Sequence, residues 1–458
     1  MTFIAENCFL WQKLAVELRL SDTVESVVRL LRADVKVLLI RFGLHSTPES
    51  RKLLATVNEA IEQFASELSP WKPVVGIACE LSGMIPRVKF CRAMGPIQLA
   101  LGRRIFLTSN HTYEDKKVEN VVYVTSLEMY LDELKRGDLV RIGQAELKVC
   151  KIKGKFVECC VRNVFGEEFP TLVHPFERVQ FGYPNSKWIP DNRITEECYL
   201  ALQHGCRFIL VPDLENHRIL HEVERVLRNY SQENDVTVHI LATMAPQATE
   251  IAYQQIIPHL SGLITDNANL MKFCRTNCKT ILYEVHDSEQ FPDEATLQQI
   301  DTIITTPELV EELKSKLKQH NQSLIQQMNP TISRKKTVLN KCIEYASKNC
   351  KANAIILCTT ENVCAAERLS RKELPCPVLV TTSDDEAIQH LLLRKYCFPI
   401  LVPEGVKSTR LLIKYATVYG RKFGFLKVGN LTVTGFGDSG IQGLELRYVP
   451  DDFIMLFQ

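Results

Sequence analysis

The sequence lacks three features, each of which would define a class of protein. It has no Cys-x-x-Cys pair among its 16 cysteines and almost no net charge. It also has no apolar run near the roughly 18 residues that a membrane-spanning helix needs. A formal charge of +1, from 55 basic and 54 acidic residues, argues against a nucleic-acid partner, because counterion release requires a surplus of clustered cations. We therefore expect no nucleic-acid partner and no membrane span.

The cysteines and the amino-terminal segment both indicate a reducing compartment. Cys79 in VVGIAC and Cys358 in AIILC lie inside apolar, strand-like runs, which favours free buried thiols over disulfides or zinc ligands. Residues 1–18 carry only short apolar patches broken by charged side chains, unlike a secretory signal. We expect a cytoplasmic protein, and its 458 residues, 45% of them hydrophobic, predict several globular domains.

Short β-branched runs alternate with amphipathic helix patterns over much of the chain. Near-continuous apolar strands between helices are typical of a parallel sheet covered on both faces, in an α/β fold. Seven such runs favour a (β/α)₈ TIM barrel over two small open sheets. The runs are residues 35–41, 74–79, 207–212, 236–242, 262–265, 279–285 and 301–305.

Two parts of the chain depart from this alternation. Residues 88–185 have short alternating strands with turn residues between them, which predicts an antiparallel β domain inserted after the third barrel strand. The barrel would then consist of residues 1–87 and 186–325. A polar, Gln- and Asn-rich stretch marks a boundary. Residues 335–458 beyond it predict a C-terminal α/β domain that ends in a β-hairpin.

This order of elements resembles the pyruvate kinase family. TVESVVRLLRADVKVLLIRFGLHSTPE is similar to the family's approach to its second barrel strand, and VGIACELSGMIPRVKF to its third. KRGDLVRIGQAELKV is similar to a segment of its β domain, whereas residues 1–20 contain no clear counterpart of its first strand. The resemblance implies transfer of a phosphoryl group from phosphoenolpyruvate to ADP, with Mg²⁺ and K⁺ as cofactors.

The family's catalytic motifs are altered at the fifth and sixth strands. Where the family reads Ser-Lys-Ile-Glu-Asn, this chain reads Ala-Thr-Met-Ala-Pro, so that Thr243 replaces the lysine and Ala245 a metal-binding glutamate. Asn269 replaces the second metal-binding carboxylate. A methyl group and one amide hold Mg²⁺ far less well than two carboxylates.

Further substitutions fall on the second and seventh strands. Glu284 replaces a threonine that assists proton delivery in the family, and a carboxylate there repels anionic substrates. Arg41 and Gly43 replace an asparagine and a serine of the potassium site, and the guanidinium excludes a monovalent cation by its charge. Of the family's anion-binding arginines, only Arg87 is retained.

These substitutions predict a pyruvate-kinase-like protein that has lost catalysis, needs no cofactor and acts by binding or assembly. A homo-oligomer (dimer or tetramer), or a hetero-oligomer with an active relative, is the expected state. The first alternative is an active or weakly active pyruvate kinase that uses Mg²⁺ and K⁺. The second is a different barrel enzyme with polar groups from Cys79, Glu80, Asp266 and Glu284 at the strand ends.

Overall fold

The structure is a computed structural model, and it describes most of the chain. The described residues are 10–45, 47–82, 86, 88–89, 96–113, 118–124, 127–131, 134–143, 145–164, 171–173, 177, 179–181, 192–214, 217–244, 250–327, 339–358, 363–403, 405–406, 408–436 and 443–451. They divide into two compact units. One unit comprises Met1–Phe42, Thr47–Leu81 and Thr195–Gln458, and the other comprises Gly43–Ser46 and Ser82–Ile194.

Eight parallel strands close a barrel in the first unit. They are β1 (Lys13–Glu17), β2 (Val37–Arg41), β3 (Gly76–Glu80), β13 (Phe208–Leu214), β14 (His239–Met244), β15 (Gly262–Ile264), β16 (Thr280–Val285) and β17 (Thr302–Thr305). Each neighbouring pair is parallel, and β1 pairs with both β17 and β2 to complete the ring. The seven apolar runs of the sequence are all barrel strands, so the predicted TIM-barrel-like α/β fold is confirmed.

The eighth strand is β1, in a segment where the sequence offered no clear counterpart. KLAVE is short and has a charged residue at each end, yet all five of its residues are buried. Lys13 lies near the amino-terminal end of the barrel and Glu17 at the carboxyl-terminal end. Charged residues at both ends of a five-residue strand obscure the apolar pattern by which the other seven are recognised.

Helices cover the barrel and the C-terminal sheet. They are α1 (Val24–Arg32), α2 (Thr47–Leu68), α3 (Asn192–Gln203), α4 (His217–Asn234), α5 (Glu250–Ile256), α6 (Ala268–Thr276), α7 (Glu294–Gln299), α8 (Val310–Gln327), α9 (Leu339–Asn349), α10 (Val363–Ser370), α11 (Asp385–Leu392) and α12 (Thr409–Lys422). Helix α1 shows the local logic, because Thr23 and Ser26 form a capping box and the apolar residues after them face the core. No helix among the described residues is long and apolar enough to cross a bilayer.

The second unit contains the β elements that lie between β3 and β13 in the sequence. They are β4 (Val88–Lys89), β5 (Ile97–Leu99), β6 (Arg104–Thr108), β7 (Val121–Val124), β8 (Leu139–Ile142), β9 (Ala145–Lys153), β10 (Phe156–Val164), β11 (Thr171–Val173) and β12 (Val179–Phe181). Seven of them form a sheet in the order β12-β8-β9-β10-β6-β7-β4, and β11 pairs with β5. The pairing is antiparallel as expected, except that β6 and β7 are parallel.

The C-terminal part of the first unit is a five-stranded sheet. Its strands are β18 (Ala354–Cys358), β19 (Val378–Thr382), β20 (Cys397–Leu401), β21 (Leu431–Phe436) and β22 (Gly443–Tyr448), in the order β20-β19-β18-β21-β22. The pairing is parallel except for the antiparallel hairpin of β21 and β22, which the sequence predicted. The helices bury an apolar cluster on each face of this sheet.

Candidate site at the barrel mouth

The barrel interior changes from apolar to charged at the carboxyl-terminal ends of its strands. An apolar cluster inside the barrel takes one or two residues from each strand, among them Ala15, Leu39, Ala78 and Leu282. Because alternate residues of a strand face the same side, the next inward position lies two residues further along the chain. Those positions are Glu17, Arg41, Glu80 and Glu284.

One guanidinium binds all three carboxylates. The Nε atom of Arg41 donates to Glu17 Oε2 at 3.1 Å, and its Nη2 atom donates to Glu284 Oε1 at 2.6 Å. Its Nη1 atom donates to Glu80 Oε2, and Arg41 and Glu80 are register partners on the adjacent strands β2 and β3. Each nitrogen of the guanidinium therefore contacts a different carboxylate, and we call these four side chains the Arg41 cluster.

The Arg41 cluster is largely withdrawn from solvent. The Arg41 side chain is 13% exposed, and those of Glu17 and Glu80 are 7% and 11% exposed. Burial lowers the pKa of Arg41, but Glu80, Glu284 and Glu17 together raise it well above its ordinary value. The guanidinium is therefore charged at every accessible pH.

Glu284 also contacts a histidine on its own strand end. Its Oε2 atom lies 3.3 Å from Nε2 of His286. Burial raises the pKa of Glu284, but the charge of Arg41 and the hydrogen bonds from His286 and Arg41 lower it well below its usual range. A carboxylate held ionised in this way is a weak proton acceptor at neutral pH.

Three residues of the sequence prediction lie outside the Arg41 cluster, and one of them, Asp266, is exposed between β15 and α6. The half-buried Thr243, at the end of β14, accepts a hydrogen bond from the backbone N–H of Asp213 at 2.7 Å. Asn269 is exposed in the first turn of α6, where its backbone N–H donates to Oδ1 of the N-cap residue Asn267 at 2.9 Å. The roles seen here for Thr243 and Asn269 are a strand-end contact and a helix start.

Gly43 is explained by close packing within the second unit. A Cβ atom added there would lie 3.2 Å from Cα and 3.3 Å from the carbonyl oxygen of Ser82, closer than most such contacts in proteins. A larger residue would push this backbone aside. Gly43 thus has a steric reason that is separate from its position in the resemblance.

Three other positions complete the comparison with the sequence prediction. Arg87 and Ala245 lie outside the described residues. Cys79 precedes Glu80 on β3 and faces the opposite side, where its buried Sγ lies 3.0 Å from Sγ of Cys206. The expectation that Cys79 supplies a polar group to the mouth is therefore wrong, because β3 turns Glu80 inward and Cys79 outward.

The residues at the implied cation positions do not fit those cations. Arg41 places a full positive charge at the potassium position, where a neutral oxygen is needed. Asn269 offers an exposed amide and Ala245 a methyl group at the magnesium positions. Within the described ranges, no group of three or more His, Cys, Asp or Glu side chains is arranged to hold a metal ion.

Sequence reasoning identified Arg41, Glu80 and Glu284 but missed Glu17 and His286. The missed signal for Glu17 was a carboxylate at the end of an unrecognised strand. The signal for His286 was its spacing of two from Glu284, which places both side chains at one strand end. A scan against protein-family models and a search of curated proteins found no match to this chain.

Proposed function

We propose that this chain is a pyruvate-kinase-like barrel protein that does not transfer phosphoryl groups and acts by binding or assembly. The observation that carries the proposal is the Arg41 cluster, in which three carboxylates bind a single guanidinium, that of Arg41. The resemblance in element order supports the family, and the altered residues support the loss of chemistry. We further propose a cytoplasmic protein that needs neither Mg²⁺ nor K⁺.

The charge at the mouth is unfavourable for the substrates of phosphoryl transfer. Phosphoenolpyruvate and ADP are polyanions, and phosphoryl transfer depends on cations that neutralise the transferring group. By formal charge the Arg41 cluster has three carboxylates and one guanidinium, and each nitrogen of the guanidinium already has a carboxylate partner. An incoming phosphate would have to displace these partners and then lie against them.

Lost positive charge adds to this repulsion. The resemblance gives a lysine at the position of Thr243, whose hydroxyl carries no charge and accepts a backbone hydrogen bond. Removal of one stabilising group from a preorganised site commonly costs about 10²–10³ in rate. Losses within one catalytic unit are not additive, but without the lysine and the metal carboxylates little rate remains.

A coupled assay with lactate dehydrogenase tests the proposal. Phosphoenolpyruvate, ADP, Mg²⁺ and K⁺ are supplied in excess, and an active pyruvate kinase in the same mixture shows that the coupling works. We expect the wild-type chain to give the rate of the buffer blank. A turnover within about a hundredfold of a typical kcat of about 10 s⁻¹ would establish the alternative, a working pyruvate kinase.

A further inference from the structure

We infer that Arg41 acts as a resident cation that holds the mouth of the barrel together without a bound metal ion. This role concerns the stability of the mouth, so it goes beyond the proposed function and does not depend on it. The four side chains of the Arg41 cluster have the geometry that this role requires.

The Arg41 guanidinium joins separate strands of the barrel. Glu17, Glu80 and Glu284 extend from β1, β3 and β16, and Arg41 extends from β2. Around the barrel, β3, β2 and β1 are neighbours, and β16 is separated from β1 by β17 alone. One side chain therefore links four of the eight strands at their carboxyl-terminal ends, as a metal ion with protein ligands from several strands does.

The three carboxylates would destabilise the folded state if Arg41 were absent. Three glutamates are gathered at the mouth, and two of them are about nine-tenths buried. Like charges in such a place repel one another, and burial disfavours each charged form. Without the guanidinium each carboxylate would lose its contact with Arg41, which favours opening of the mouth, uptake of protons or binding of another cation.

The role of a counter-cation differs from that of a side chain that only packs. A side chain that only fills space would be replaced adequately by a methionine at any pH. A counter-cation would not, and the loss would depend on the charge of the carboxylates. Lysine keeps the charge but has one nitrogen in place of three, so it cannot contact three carboxylates in the same planar arrangement.

The experiment compares thermal unfolding of the full-length wild type, Arg41→Met and Arg41→Lys at low ionic strength. We expect Arg41→Met to lower the Tm at pH 7 by about 3–5 °C, because it breaks an ion-pair group that is largely buried. The Tm of Arg41→Lys should fall between those of Arg41→Met and the wild type. The matched control is Arg19→Met, which removes an exposed pair with Glu308 and should change the Tm by about 1 °C or less.

If Arg41 only packed, the Tm difference between Arg41→Met and the wild type would depend neither on pH nor on added cations. Loss of the guanidinium raises the pKa of the carboxylates in the folded protein, so acidification from pH 7 to pH 5 should narrow the gap between Arg41→Met and the wild type. Millimolar Ca²⁺, which accepts carboxylate oxygens in flexible geometry, should raise the Tm of Arg41→Met and leave that of the wild type unchanged.

Three results would overturn the inference. The first is an Arg41→Met protein as stable as the wild type at pH 7. The second is a stability gap that does not change with pH. The third is a Ca²⁺-induced rise in the Tm of the wild type equal to that of the variant. The coupled assay is a separate measurement, so failure of this inference and failure of the proposed function are distinguishable.

Discussion

Among single residues, the buried Lys13 at the amino-terminal end of the barrel gives the clearest test of how burial affects a charge. Lys13, at the start of β1, is 3% exposed, and its Nζ has no hydrogen-bond acceptor among the described residues. The amine lies 3.3 Å from the ring centroid of Phe398 on β20. Burial, assisted by the charge of Lys36, lowers the pKa of Lys13 to about 7. Burial prevails over the attraction of the ring because desolvation of an ammonium costs several kcal/mol and a cation–π contact contributes about 2.

This environment predicts that Lys13→Met stabilises the protein at pH 7. The unfolded chain holds a proton on Lys13 up to its ordinary pKa of 10.5, whereas the folded chain releases it near pH 7. The wild type therefore gains stability as the pH rises from 7 towards 10.5, by at most ~1.4 kcal/mol per pH unit from this group. The advantage of Lys13→Met should shrink over that range, as measured by urea unfolding at several pH values.

An exposed lysine provides the matched control for this prediction. Lys52→Met on α2 removes an amine in solvent and should change the free energy of unfolding at pH 7 far less than Lys13→Met does. A Lys13→Met protein that is less stable than the wild type at pH 7 would show that the amine contributes favourable contacts in its charged form.

At the residue scale, the sequence predicted the effect of each charge separately, and it did not predict which charges bind each other. Arg41 was expected to exclude a cation and Glu284 to repel an anion, as separate effects. They bind each other although 243 positions separate them in the chain. Such a pair depends on the closure of the barrel, and no local pattern at either position signals it.

At the element scale, the segment around β1 ties the barrel to the C-terminal sheet. The Trp11 and Tyr396 rings lie 5.1 Å apart, and the backbone N–H of Tyr396 donates to the carbonyl oxygen of Trp11 at 3.0 Å. On the other side, the Gln12 side chain donates to the carbonyl oxygen of Leu297 at 3.1 Å. The segment directly before β1 thus contacts both the C-terminal part and helix α7, and these contacts bury Trp11 and Gln12.

Strand β22 is the element that bears on assembly. It pairs antiparallel with β21, and no other described strand pairs with it. Leu446 and Tyr448 on this strand are 46% and 72% exposed. An edge strand with exposed apolar side chains is a template for pairing with another chain. The apolar tail, Phe453–Phe457, on which the sequence argument for assembly depended, lies outside the described residues.

We predict that a second copy of this chain covers β22. A charged residue introduced on this strand should prevent that association. Leu446→Lys should shift the mass measured by light scattering from that of a dimer or tetramer to that of a monomer. Leu411→Lys on α12 is the control, since that leucine is similarly exposed and lies away from the edge. If the wild type is a monomer, or if both variants keep its mass, β22 is not an interface.

At the scale of the whole molecule, the fold was predictable where burial is two-sided. Seven barrel strands are apolar runs between helices, and the repeated pattern indicates the barrel even though no single strand does. The eighth strand was missed because Lys13 and Glu17 are buried charges, which local patterning assigns to the surface. Lys13 lies against the C-terminal sheet and Glu17 lies at the mouth of the barrel. At both places tertiary contacts override the local preference for the surface.

We propose that the mouth of this barrel does not accept phosphorylated anions, because the Arg41 guanidinium there already binds three carboxylates. Thermal unfolding of the wild type with phosphoenolpyruvate, and with ADP in the presence and absence of Mg²⁺, tests this most directly. Sodium sulfate at the same ionic strength controls for general salt effects. A ligand at a hundred times its Kd would stabilise the protein by about 2.7 kcal/mol, which is an easily measured shift. We predict the same Tm in every ligand as in the sulfate control, and a Mg²⁺-dependent rise in Tm with ADP or phosphoenolpyruvate would contradict the account.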